Sequence, residues 1–220
     1  MVNLTYDALD LHVIRGRAEE AAVERDGAPV DVASLTEEVA ALAGAFRAVG
    51  VTPGAAVLVA LPDEYDELVA FLATLRLRAV PVLVERVHAA VQGTEGGHHP
   101  SAATLAVRHR PHAVVTATTW PGHVHAPAAV VYRGPEPTDP TVEVAWDVAL
   151  RAGRTDPAPA SRPEPDPEVP AADAHAAAVA ATAYVVGDRA VLVGEVPEAG
   201  TQIGRRLGAL IGGRTVTLRG

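Results

Sequence analysis

Hydrophobic and polar positions alternate between two periods along this chain. In SLTEEVAALAGAFRAVG (34–50), apolar residues fall at Leu35, Val39, Leu42 and Phe46, the three-and-four spacing of one helix face. Ser34 and Glu37 have the spacing of a capping box, and Gly50 stands where a helix commonly stops. VTPGAAVLVALP (51–62) then reads as a turn and a wholly apolar strand. DEYDELVAFLATLRLRA (63–79) returns to helical spacing, with acids in the first turn where the helix dipole favours them. VPVLV (80–84) is again apolar throughout. Strand–helix–strand units with fully apolar strands predict a parallel sheet covered on both faces.

The same reading extends outward from this block. The opening stretch, residues 3–24, predicts a short amphipathic helix with Leu4, Leu9 and Val13 on one side, an Arg-Gly-Arg break, and a strand at 21–25. Beyond the block, 101–110 reads as a helix, 112–117 and 128–134 as strands, and 142–153 as a helix. Residues 154–170 hold six prolines and read as a stiff, extended linker. An Ala-rich helix at 173–186, a strand at 190–194, a helix at 200–213 and a strand at 214–220 follow. The organisation predicted is a main α/β part over 1–153, a linker over 154–170, and an αβαβ tail over 171–220 that packs back on the same domain. Residues 85–100 end in a loop, GTEGGHHP.

Composition narrows the chemistry. Hydrophobic residues make up 49% of 220, enough for a substantial core, yet aromatics are only 4%, so the core is Ala, Val and Leu. Cysteine is absent, which removes disulfides, thiolate metal sites and cysteine nucleophiles. A net charge of −9 argues against nucleic acid as a partner. No run of about 18 apolar residues predicts a membrane span, and the polar start does not read as a secretory signal. The expectation is a cytoplasmic protein. All 18 basic residues are arginine. Arginine stays protonated, so no step that needs a lysine base or nucleophile is open to these residues.

Other clusters read as structural. Six histidines lie between 98 and 125 (His98, His99, His109, His112, His123 and His125), without the spacing of a metal motif, and read as solvated loop residues. Asp63, Glu64, Asp66 and Glu67 read as the solvated first turn of a helix. Arg205 and Arg206 read as an exposed helix face. Thr5, Tyr6 and Asp7 read as helix-start residues, and Ser34 as a cap without a nucleophile elbow around it.

Asn3, Asp10, His12, Val13, Gly16 and Arg17 stand in the order in which short-chain acyl-CoA synthetases carry Asn, Asp-Arg-His-Val and Gly-Arg-Gly-Asp. Leu11 replaces the usual Arg, and Ala18-Glu19 replaces Gly-Asp. Residues 35–84, with Gly50, Val51, Gly54 and Leu61-Pro62, resemble the same group, as do 101–117 and 190–220. The chain thus resembles the acetyl- and propionyl-CoA synthetases of the adenylate-forming superfamily, in collinear order. The resemblance implies the N-terminal subdomain of such an enzyme, in truncated form. Where that family places a Ser/Thr/Gly-rich phosphate loop ending in Pro-Lys-Gly, this chain has PEPDPEVPAADAHAAAVA (163–180), with Glu164, Asp166, Glu168 and Asp173 and no glycine. Acids there would repel a triphosphate. Arg108 aligns with an arginine that contacts the nucleotide phosphate of CoA, and a guanidinium fork suits that role. The expectation is a noncatalytic, cofactor-free scaffold that binds itself or an intact acyl-CoA synthetase. The alternatives are a CoA or acyl-binding module and one half of a split ligase.

Overall fold

The computed structural model describes residues 4–84, 100–121, 124–134, 137, 139–160, 183–186, 189–192 and 201–218. The chain enters through a π-helical segment, Tyr6–Asp10, that runs into α1, Leu11–Ile14. Strands β1 (Ala21–Arg25) and β2 (Ala28–Asp31) form a hairpin, followed by α2 (Val32–Ala48). Then come β3 (Ala56–Ala60), α3 (Glu64–Arg76), β4 (Val80–Leu83), α4 (Ala102–His109) and β5 (Ala113–Thr116). Next are β6 (Ala129–Tyr132), β7 (Glu143–Ala145) and α5 (Trp146–Thr155). The last elements are β8 (Ala183–Val186), β9 (Arg189–Leu192), α6 (Gln202–Ile211) and β10 (Val216–Leu218).

Seven strands form the main sheet in the order β7-β6-β5-β3-β4-β8-β9. The first six run parallel; β9 closes antiparallel on β8. The expected α/β fold, a mostly parallel sheet with helices on both faces, is the one observed. A second sheet, β10-β1-β2, joins the two ends of the chain: β10 lies parallel to β1, with Val216 opposite Val23.

Alternate strand residues feed two cores. Val57, Val59, Ala113, Val115 and Val131 face the side covered by α2, α3 and α5, with Phe46 and Phe71 fully buried there. Leu58, Val82, Val114 and Val130 face the side of α4, under Leu105, Ala106 and Trp120. Small residues let α2 and α5 approach closely. A β-carbon on Gly153 would overlap the carbonyl of Ala41, and one on Gly44 that of Asp156. The chain leaving α5 stays on this face, where Ala158 donates its N–H to Ala40 at 3.0 Å.

Several sequence expectations need correction. β2 has no counterpart among the expected strands, although Asp26-Gly27, with φ of 50° and 79°, is the two-residue turn that a hairpin selects. Residues 142–153 divide into β7 and α5. Residues 183–186 are a strand rather than the end of a helix; the rest of 173–182 lies outside the described residues, as does 161–170. Helix α2 starts earlier than expected, and its cap is Asp31, which accepts from the Ser34 N–H at 2.7 Å. At the N-terminus the inward stripe is Leu4, Ala8, Leu9 and His12, while Val13 is 36% exposed. His12 replaces Val13 because polar partners await it there.

Candidate functional site

An open parallel sheet places its ligand crevice beyond the carboxyl ends of its strands, where the strand order reverses. Here the reversal lies between β3 and β5: the chain steps from β3 to β4 on one side, then returns across β3 to β5. Three segments lie at that end: Leu61–Asp63 and the first turn of α3, Thr116–Thr118 at the end of β5, and Arg133 after β6.

The start of α3 dominates this end of the sheet. Asp63 caps the helix; its Oδ1 accepts the N–H groups of Tyr65 and Asp66, each at 2.9 Å. A helix N-terminus offers amide donors to an anion, and these two are already taken by the protein's own carboxylate. Asp63 Oδ2 receives Arg25 at 3.0 Å, and that guanidinium lies 4.9 Å from the centre of the Tyr65 ring. Tyr65 donates its hydroxyl to Glu38 at 2.7 Å. Burial, reinforced by the Glu38 carboxylate, pushes the Tyr65 phenol far above its usual range.

Asp66 accepts Arg133 Nε at 2.8 Å, and Arg133 lies over the Trp146 ring at 5.6 Å. Glu64 and Glu67 pair with Arg206 of α6, and Gln202 adds a bond to Glu64 Oε1 at 3.1 Å. The acidic turn is therefore not solvated: Glu64, Asp66 and Glu67 are 7%, 4% and 8% exposed. Arg206 is buried too, which corrects its reading as part of an exposed face. Four carboxylates meet three guanidiniums drawn from β1, the end of β6, and α6. A buried charge persists only when paired, and here each acid has its cation. On the β5 side, Thr116 Oγ1 donates to the Thr118 carbonyl at 3.1 Å.

Arg108 lies elsewhere. It is exposed on the last turn of α4, which leads into the amino end of β5, opposite the crevice. The histidines are not simply solvated. His112 donates to the Val49 carbonyl at 2.9 Å and His125 to the Pro111 carbonyl at 2.8 Å, so both pin loops; His98, His99 and His123 lie outside the described residues. No group of three His, Cys, Asp or Glu residues with metal-site geometry occurs among the described residues. None of their helices is long and apolar enough to cross a membrane.

Three of the residues that carry the sequence resemblance hold the opening segment to the rest of the molecule. Asp10 takes a two-pronged bond from Arg76 at 2.8 and 2.9 Å, His12 meets the Leu210 carbonyl at 2.9 Å, and Arg17 meets the Gly213 carbonyl at 2.9 Å.

This geometry has counterparts among solved structures. A benzoate CoA ligase from Burkholderia xenovorans LB400 matches with a TM-score of 0.50 at 18% identity, over 74% of this chain and 30% of that one. The anthranilate CoA ligase AuaEII, solved with anthranoyl-AMP, matches with a TM-score of 0.55 at 15% identity, over 73% and 30%. The fold is like that of part of these two CoA ligases. At these identities the likeness is one of fold, and the chain spans about a third of each ligase's length. No protein-family model and no curated sequence matches the chain.

Proposed function

We propose that this chain uses a ligase-type fold for binding rather than for adenylation, as a scaffold or interaction partner related to the short-chain acyl-CoA synthetases. The observation that carries this reading is the occupied start of α3. At the sheet's switch point, where an anionic substrate would look for amides and cations, Asp63 consumes the amides and Asp66 holds Arg133. Adenylation must stabilise charge on the transferring phosphates, and the carboxylates here oppose it. The sequence supports the same reading: residues 163–173 carry four acids and no glycine, and none of the 220 residues is a lysine.

Binding to a protein is supported by the outer end of the sheet. Among the described residues β7 is paired on one side only, by β6, with Val142 and Val148 exposed beside it. An open strand edge with apolar neighbours is a ready template for a second chain. The partner proposed is a second copy of this chain or an intact acyl-CoA synthetase.

Two measurements test this reading. Light scattering on a sizing column should give a dimer, or a defined complex with an added acyl-CoA synthetase. A strict monomer that ignores such an enzyme contradicts the scaffold role. Calorimetric titration with ATP and magnesium should show no heat of binding. Saturable heat with CoA, lost in Arg108→Ala, would instead favour a CoA-binding module.

A further inference from the structure

We propose that His12 is a pH-sensitive latch that fastens the carboxyl-terminal helix–strand unit, α6 and β10, to the amino-terminal helix. His12 is 4% exposed. Its Nε2 lies 2.9 Å from the Leu210 carbonyl oxygen, and its Nδ1 lies 3.0 Å from Arg17 Nη1. A carbonyl can only accept and a guanidinium can only donate. The ring is therefore neutral in this arrangement, with the hydrogen on Nε2 and a lone pair on Nδ1. Arg17 is in turn held by Glu20, at 2.8 Å from Nε, and by the Gly213 carbonyl at 2.9 Å. Residues 12 and 17 thus hold 210 and 213, nearly 200 positions away, through two adjoining bonds.

A proton on Nδ1 breaks this arrangement. Donor would then face donor, and two cations would stand side by side. The other charged groups around the ring do not relieve the conflict. Arg214, from the approach to β10, lines the same hollow and adds positive charge. Glu20 is the one carboxylate among the described residues that line it, and it is already bonded to Arg17, which holds it below the usual carboxylate range. Two outcomes are open. Arg17 turns away and frees Gly213, or the imidazole turns away and frees Leu210. Either loosens the end of α6 and the turn into β10. His112 and His125 behave differently: each gives Nε2–H to a carbonyl, a bond that protonation leaves in place.

Hydrogen exchange followed by mass spectrometry on the full chain tests the latch, from about pH 8 to about pH 5, the range in which imidazole titrates. Rates are corrected for the intrinsic pH dependence of exchange. Protection in peptides covering 4–17 and 207–218 should fall together with acidification, by up to about tenfold per pH unit for one linked proton. Peptides from α2 should not change. His12→Gln keeps a donor for Leu210 and does not titrate here, so its profile should be flat. Arg17→Gln offers Nδ1–H an acceptor and should also flatten the profile. A flat wild-type profile overturns the proposal. So does a fall that persists unchanged in either variant, or one in which α2 loses protection at the same rate.

Discussion

Arg206 shows how one side chain can settle a whole helix turn. It is 6% exposed and pairs with both Glu64 and Glu67 from 139 to 142 positions along the chain. Its removal takes a buried guanidinium away from two buried carboxylates. Arg206→Met should therefore cost about 3–5 kcal/mol in urea unfolding. The triple variant with Glu64→Gln and Glu67→Gln should recover most of that loss, because those two side chains are then neutral; an equal loss in both variants would assign the effect to packing. Tyr65 gives a pH-dependent signature. Burial first, and the Glu38 carboxylate second, raise its phenol, so the hydroxyl bond contributes fully below the ordinary phenol value of 10.0. That contribution is lost as the pH rises beyond it, because the unfolded chain ionises before the folded one. Stability should thus decline more steeply in wild type than in Tyr65→Phe above about pH 10. These roles were illegible in sequence for a plain reason. An acidic first turn looks the same whether water or distant arginines meet it, and Arg25, Arg133 and Arg206 share no spacing with the acids they serve.

Elements were more legible, since their signals are local. The stripe of Leu35, Val39, Leu42 and Phe46 placed α2, and the apolar runs placed β3 and β4, because burial on two faces tolerates no polar residue. What went astray involved competing local signals. Asp31 wins the cap over Ser34 because β2 delivers it in extended backbone, at ψ 165°, directly before the helix. β2 itself, APVD, is too short and too exposed to show a period. Residues 142–153 carry helical spacing only from Trp146 onward. The α2–α5 crossing is a contact that no pattern announces; its mark is a glycine inside a helix. Gly153→Ala places a methyl group against the Ala41 carbonyl and should cost about 3 kcal/mol, measured by thermal or urea unfolding. A neutral result would mean that the two helices can separate without penalty.

At the scale of the molecule, alternating strands and helices predicted the parallel sheet, and that sheet is present with its switch point between β3 and β5. Function is harder to read there, because a ligase-type fold does not carry ligase chemistry with it. The central claim is that this chain's switch point, filled by its own carboxylates, does not activate acids. Pyrophosphate release tests it most directly, with purified full chain, ATP, magnesium, and acetate, propionate or longer acids against a no-acid control. The account predicts no acid-dependent release. Loss of one electrostatic donor alone slows such steps by about 100- to 1,000-fold, and here the two amides at the start of α3 are already taken by Asp63 and Arg133 is held by Asp66. Release that requires the acid, scales with the amount of protein and survives repurification would contradict it.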